Sequence, residues 1–409
     1  MKKIDRQSPL EKRIKRHVAA REHLFFAATT PGFKSVCFEE LFKIHGSIKE
    51  INMVNGGVEF KGRLQDCYKA NLFLRTANRI LMRIGKLKAT NFRILEKKLA
   101  NFPWELFLPA TPGNNKQPEI NVTSIHSRLY HKKAVAECFR KCITNRFNNL
   151  PGCQVGKIAG KIAEKNDYSK QHLFVRIKDD NFLISLDSSG ELLHKRGIKK
   201  YKTRAPIRET IASAALMLAG YEAGEPLIDP LCGSGTFSIE GAMLSSNIPA
   251  GWFREFAFMG WPCFKPEQWA YIKREAEKKF FLLNEFCVFA SDIDNRQCRR
   301  LNDTLKLHKL SSIVRVENKD FFRFSPSDIF KNTGIVAINP PYGLRLGNKN
   351  ESIKLLGNII NKLLTSYAGW KYALVVPRNS VTENVLPNSS SNHFCHGGLD
   401  MILLTGKVS

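Results

Sequence analysis

Asn339-Pro340-Pro341-Tyr342 closes a short apolar run, Gly334 to Ile338. An exocyclic amine on a nucleobase is a poor nucleophile, because its lone pair is delocalised into the ring. The Asn339 side-chain carbonyl and the backbone carbonyl of the next residue can each accept one amine proton. That draws the nitrogen toward tetrahedral geometry and aims its lone pair outward. Pro340 and Pro341 keep this backbone extended and offer no competing N–H. Tyr342 supplies a π face on which a base can stack. Such a set works by positioning and electrostatic preorganisation rather than by covalent catalysis. A base inside a helix must first be swung out to reach it. A lone tetrapeptide of this kind also suits a proline-stiffened turn, so its meaning rests on what surrounds it.

Three further strand ends carry acidic residues. Pro226-Leu-Ile-Asp-Pro-Leu-Cys-Gly-Ser-Gly-Thr reads as a strand, a glycine turn and the start of a helix. In a doubly wound sheet that turn lies at the carboxyl ends of the strands, where ligands bind. Gly233 and Gly235 allow close backbone approach and unusual φ. The pattern is neither GxGxxG nor a Walker A loop, which disfavours phosphate. Asp229 suits a cationic or zwitterionic ligand instead. Asp292 follows the run Phe286 to Ser291 and can accept both hydroxyls of a ribose. Asp320 follows Ile313 to Lys319, where it can accept from an adenine amine while Phe321 packs on the ring. Four strands in order, each delivering polar residues at its C-terminal end, match the sheet of an S-adenosylmethionine-dependent methyltransferase.

The elements that must hold these residues form the rear half of the chain. A helix is expected over 207–218, ahead of the first strand. The gap between Asp229 and Asp292 far exceeds the ~20 residues of a simple unit. The excess, 245–281, carries Trp252, Phe253, Trp261, Phe264 and Trp269, with an extra helix expected over 266–283. It reads as a structural elaboration, with an aromatic lip over the pocket as the lesser alternative.

The front half differs in charge. The 409 residues carry a formal net charge of +27, of which residues 1–205 contribute +23 and residues 206–409 only +4. That asymmetry points to a polyanion held by the front half. Residues 1–21 read as a basic arm. Strand–helix–strand–strand–helix follows from Leu24, with Asn55-Gly56 as a hairpin turn. A second small unit follows, with a strand over 79–87, helices over 94–107 and 134–147, and a closing hairpin turning at Asp179-Asp180. Candidate nucleic-acid-binding residues are Arg128, Lys132, Lys133, Lys157 and Lys161, and in a basic connector His194, Lys195, Arg196, Lys199 and Lys200.

Other classes fall away. The start leads into Glu11, Lys12 and Arg13 rather than an apolar signal core. No apolar run approaches the ~20 residues of a membrane span. The ten cysteines form no CxxC pair and no Cys/His comb, so neither a metal site nor a disulfide framework is expected, and a reducing, cytoplasmic compartment is.

The assembled motifs resemble those of the THUMP-domain RNA guanine-N2 methyltransferases, particularly the RlmL type acting on 23S rRNA. The likeness rests on Leu193-His-Lys-Arg-Gly, Ala205-Pro-Ile-Arg-Glu-Thr, Asp229-Pro-Leu-Cys-Gly-Ser-Gly-Thr with Ile239-Glu240, Asn247-Ile-Pro-Ala-Gly, Ser291-Asp-Ile-Asp and Asn339-Pro-Pro-Tyr-Gly-Leu-Arg-Leu-Gly. The resemblance implies an α/β chain: a basic arm (1–21), a ferredoxin-like domain (22–65), a THUMP RNA-binding domain (66–186), a connector (187–206) and a class I, Rossmann-like methyltransferase domain (207–409). It implies that Asp229, Pro230, Cys232, Gly233, Ser234, Gly235 and Thr236 surround the methionine side of S-adenosylmethionine. Asp292 would take the ribose, Asp320 and Phe321 the adenine, and Asn339 to Tyr342 the target guanine amine, with Asn339 also bordering the donor. The partner implied is structured RNA, above all 23S rRNA, and one methylation is expected from a single methyltransferase domain. The chain departs from the family at Ile198, where an aromatic is usual, and at Gly241, where alanine is usual and glycine is expected to soften the helix. Alternatives are a tRNA guanine-N2 methyltransferase, a nucleic-acid adenine-N6 methyltransferase and a non-catalytic RNA-binding protein.

Overall fold

The computed structural model describes residues 8–44, 46, 48–109, 117–150, 171–199, 206–281, 283, 285–341, 349–380, 386 and 388–409. Two seven-stranded sheets organise them. The front sheet holds β1 (His23–Thr29), β2 (Lys49–Val54), β3 (Gly57–Gly62), β4 (Ala77–Lys88), β5 (Glu119–Ile125), β6 (His172–Lys178) and β7 (Asn181–Asp187). Their spatial order is β2-β3-β1-β4-β7-β6-β5. Alternation along β1 and β6 buries every second side chain, as a sheet with one covered face requires. The Asn55-Gly56 turn joins β2 to β3, and Asp179 and Asp180 both take positive φ at the β6–β7 turn. Between the strands run α2 (Lys34–Lys43), α3 (Leu64–Phe73), α4 (Phe92–Ala100) and α5 (Lys132–Asn148). The expected helix over 94–107 stops at Ala100 and gives way to a short 3-10 turn, Trp104–Leu106.

The boundary expected at residue 65 falls inside α3. The strands on either side of it belong to one sheet, because β4 pairs with β1 on one edge and β7 on the other. Within the expected arm, the described residues 8–21 fold against the front core. Ser8 caps a helix, α1 (Pro9–Ile14), that continues as a π-helical turn, Lys15–Ala19. Ile14 and Val18 lie four residues apart and both bury in the front core. The basic residues between them face outward, so composition concealed a docked amphipathic turn.

The rear sheet holds β8 (Leu227–Asp229), β9 (Val288–Asp292), β10 (Val314–Asn318), β11 (Ile335–Ile338), β12 (Lys371–Pro377), β13 (Ser390–His396) and β14 (Leu399–Lys407) in the order β10-β9-β8-β11-β12-β14-β13. The first five are parallel, and β14 returns antiparallel against β12. Strands β8, β9 and β11 are buried almost throughout, and apolar up to the polar C-terminal ends of β8 and β9, because helices cover both faces. These helices are α6 (Glu209–Leu218), α7 (Thr236–Ser245), α9 (Asn295–Leu307) and α10 (Lys349–Ser366), and α8 (Pro266–Glu277) lies in the long excursion after α7. The strand order reverses between β8 and β11, which is where a doubly wound sheet opens a crevice. Gly241 lies within α7, against β8. A Cβ there would meet Leu227 Cδ2 at 2.3 Å, so the glycine lets the helix sit close on β8. Ile198 is buried in the rear core.

The excursion 245–281 packs away from the crevice. Phe256, Phe258 and Trp261 belong to the front core, and Phe258 stacks on Tyr68 with ring centroids 4.4 Å apart. Trp261 Nε1 donates to Gln171 Oε1 at 3.0 Å, and Gly251 N–H donates to the Leu72 carbonyl at 2.8 Å. Each buried aromatic contributes roughly 1.5–3 kcal/mol by area. The excursion is thus an interdomain wedge.

Candidate active site

Asp229 ends β8 and is 2% exposed. Its Oδ2 accepts from Ser238 Oγ at 2.6 Å and from the Ser238 N–H at 3.1 Å. Burial pushes its carboxyl up to about 7, against the lowering effect of these bonds. Asp292 adds to the rise and Lys199 opposes it. The turn after it needs its glycines: Gly233 and Gly235 have φ of +50° and +71°. At Gly235 a Cβ would lie 2.3 Å from Leu301 Cδ1 of α9. Asp292 braces the same turn, accepting from the Gly233 N–H at 2.8 Å through Oδ2 and from the Asp294 N–H at 2.9 Å through Oδ1. Asp320 accepts from the Phe322 N–H at 3.0 Å.

Asn339 follows β11 directly across the switch point and is half-buried, Pro340 is buried and Pro341 exposed. A cleft of about 780 Å³ is lined by Asp229, Cys232, Gly233, Ser234, Thr236, Asp292, Asp320, Asn339, Pro340 and Pro341. That size suits a cofactor-like ligand. Tyr342 lies outside the described residues. Pro230 and Gly235 are not among the residues that line the cleft. Phe321 is corrected: it is 1% exposed and packs on Phe324 and Tyr367 in the core. Its neighbour Phe322, 39% exposed, lines the cleft in its place.

Further lining residues were not singled out from sequence. Ile293, beside Asp292, is 73% exposed at the cleft. An apolar residue just past a strand-end carboxylate is its only sequence signal. His396, Leu399 and Met401 enter from the β13–β14 hairpin, which carries no motif.

The basic candidates divide. Arg128, Lys132 and Lys133 are exposed together around the start of α5. Lys195 is exposed and pairs with Glu191 at 2.5 Å. Arg196 is corrected: it is 3% exposed, and its Nε donates to Glu240 Oε1 at 3.0 Å. Lys199 turns inward as well, donating to Thr236 Oγ1 at 2.6 Å and pairing with Glu209 at 3.0 Å. His194 is half-buried. Burial and then the Arg208 and Arg196 charges lower it to about 4, so it is neutral near pH 7 and offers no cation to phosphate. Lys157, Lys161 and Lys200 lie outside the described residues. Among the described residues no group of three or more His, Cys, Asp or Glu side chains is placed to hold a metal. None of the described helices is long and apolar enough to cross a membrane.

Residues 196–396 match the family described as RMKL-like, methyltransferase domain, and residues 24–81 match the RlmL ferredoxin-like domain. The protein named "Putative RNA methyltransferase YpsC" of Bacillus subtilis is 31% identical over 329 residues, 80% of this chain and 81% of that protein. The chain belongs to the RlmL-like methyltransferase family. The ribosomal RNA large subunit methyltransferase K/L of Vibrio cholerae is 30% identical over 84% of this chain, which spans about half (47%) of that relative's length. SMU.472, crystallised as a complex with SAH, superposes with a TM-score of 0.78 at 23% identity, covering 95% of this chain and 99% of that one. The fold is therefore the Rossmann-like methyltransferase fold preceded by a ferredoxin-like domain. The ferredoxin-like match runs to residue 81, into β4, in keeping with a sheet that does not break at residue 65.

Proposed function

We propose that the protein transfers a methyl group from S-adenosylmethionine to the exocyclic N2 amine of a guanine in 23S rRNA. The observation that carries this reading is the meeting of Asn339 and Pro340 with the Asp229–Thr236 loop in one cleft. Its acidic wall of Asp229, Asp292 and Asp320 fits a ligand bearing an ammonium, a sulfonium, a ribose and an adenine. S-adenosylmethionine supplies an electrophilic methyl on a positively charged sulfur. Asp229 holds positive charge at the base of the loop, Asp292 accepts from ribose hydroxyls, and Asp320 accepts from the adenine amine. Phe322 and Ile293 offer apolar surface to the adenine ring. Asn339 Oδ1 and the Pro340 carbonyl accept the two protons of the guanine amine and turn its lone pair toward the donor. The nitrogen sheds its surplus proton to solvent after attack. Pro341 keeps the chain extended so that neither acceptor swings away.

The front half supplies the grip on RNA in this reading. It holds most of the positive charge, and the K/L relatives are named for ribosomal RNA of the large subunit. The test is incubation of the protein with total RNA and methyl-labelled S-adenosylmethionine, followed by sizing of the RNA and analysis of its nucleosides. Label in N2-methylguanosine within 23S rRNA is expected. Label confined to tRNA, or recovered as N6-methyladenosine, or no transfer at all, overturns the proposal.

A further inference from the structure

An exposed aromatic pair stands at the far edge of the front sheet. Tyr130 and His131 join β5 to α5, with ring centroids 4.1 Å apart and planes 36° apart. Tyr130 is 63% exposed, among the most exposed large apolar side chains of the described residues. A mobile loop would explain such a ring at little cost, but this loop is tied down. Leu129 beside it is buried, and its carbonyl accepts from Ser124 Oγ at 3.1 Å. The Arg128 N–H donates to Asp180 Oδ1 at 2.8 Å, and the Asp180 N–H donates to Ser127 Oγ at 3.1 Å. The Asp179 N–H donates to the Ile125 carbonyl at 3.3 Å. The loop is thus bolted to the β6–β7 turn, and the rings are presented to solvent by a fixed backbone.

The exposed charge on the loop that carries the rings is positive, with Asp180 of the β6–β7 turn as the acidic neighbour. The Arg128 side chain is 76% exposed, only 3.9 Å from the largely buried Asp180 carboxylate. Lys132 and Lys133 open α5, whose first turn holds no acidic residue. An apolar partner protein would find three cations ringing the contact. A polyanion carrying flat rings finds both complements at once: phosphates for the cations and a base for the phenol face.

We propose that Tyr130, backed by His131, is a stacking platform for one unpaired nucleobase, and that Arg128, Lys132 and Lys133 hold the phosphates on either side of it. This rests on the reading of the protein as an RNA methyltransferase and names the RNA feature that the front half grips: a single-stranded segment rather than a duplex. A paired base shows only its edges, so a helix cannot offer its face to Tyr130.

The test uses the full chain and two probes, an unpaired RNA decamer of mixed sequence and the same decamer annealed to its complement. Affinities are measured across a salt series for the wild type, Tyr130→Ala, Tyr130→Phe and the double variant Lys132→Ala/Lys133→Ala. Tyr130→Ala is expected to weaken decamer binding by about 5- to 150-fold without altering the salt slope. Tyr130→Phe is expected to stay within about twofold of wild type. The lysine variant is expected to reduce the slope by about 1.4, two single-strand phosphate contacts. The duplex is expected to bind equally to wild type and Tyr130→Ala. Wild-type affinity for the decamer in Tyr130→Ala overturns the platform, as does an equal loss on both probes. A wild type that binds neither probe overturns the RNA reading itself. Tyr130 is exposed, so an unchanged thermal midpoint separates lost stacking from lost folding.

Discussion

Arg196 Nε lies 3.0 Å from Glu240 Oε1, with both side chains almost wholly out of solvent. The pair joins the connector to α7, the helix that carries the glycine loop. Arg196 also donates to the Arg75 carbonyl at 2.7 Å, and Arg75 in turn donates to the Ile248 carbonyl at 2.6 Å. Ser213 Oγ of α6 donates to Glu240 as well. Burial pushes the Glu240 carboxyl up, but Arg196 and Arg75 outweigh it and hold it below the ordinary range. Front half, connector and α7 therefore meet at one buried carboxylate, Glu240.

Removing one partner strands the other. Arg196→Ala is expected to lower stability by about 3 kcal/mol or more, read by urea unfolding. Glu240→Gln is expected to lower it too, and the double variant by less than the sum, with a coupling on the order of 1 kcal/mol. Additive losses would mean that the two side chains act independently.

Asn339 has a different signature, since it is half-buried at a strand end rather than in a core. Asn339→Ala is expected to reduce methyl transfer by about 100-fold or more, the scale for a lost preorganised polar contact. RNA affinity and the unfolding midpoint are expected to stay near wild type. Transfer at the wild-type rate by Asn339→Ala would remove this residue from the chemistry.

The pH dependence follows from Asp229. Its folded carboxyl titrates near 7, well above an unfolded aspartate. From roughly pH 4 to 7 folding therefore takes up a proton here, and the stability from this group declines as pH rises through that window. A bound cation needs the ionised form. Affinity for S-adenosylmethionine is thus expected to rise with pH, by at most about tenfold per unit below pH 7, and then to level off. Asp229→Asn is expected to bind weakly with a flat profile. Titration calorimetry between pH 5.5 and 8.5 checks both, and an equal slope in the variant would assign the titration elsewhere.

Gly235 meets two demands at once, a φ of +71° and the nearness of Leu301. Gly235→Ala is expected to cost about 1–3 kcal/mol and to weaken donor binding. Adding Leu301→Ala opens space at the Cβ but leaves the backbone strain, so recovery of stability is expected to be partial at best. Full stability of Gly235→Ala alone, by thermal unfolding, would contradict the packing argument.

The gathering of Asp229, Asp292, Asp320 and Asn339 was legible because each follows a strand-like run, apolar before Asp229, Asp292 and Asn339 and alternating before Asp320, and parallel strands must place their carboxyl ends together. Arg196 and Lys199 were not legible. A basic residue reads alike whether it faces solvent or a buried carboxylate, and Glu240 is distant in the chain. Phe321 and Phe322 are adjacent, and only a 3-10 turn, Phe321–Arg323, decides which one turns inward. The wedge at 245–281 was legible as aromatic, but its partners, Tyr68 and Gln171, are folded in from the front half. Ile14 and Val18 carried a helical spacing that the surrounding charge obscured.

The wedge also sets how the protein would choose its target. With Phe258, Trp261 and Gly251 anchored in the front half, the outer edge at Tyr130 and the cleft at Asn339 have little freedom to move relative to one another. A tool with jaws at a fixed span measures. In the proposed reading it would accept the nucleotide that falls at the right distance from the segment it grips, and reject an identical base one step along. Shortening or loosening the wedge would then shift or blur the address of the modification, while leaving the chemistry at Asn339 unchanged.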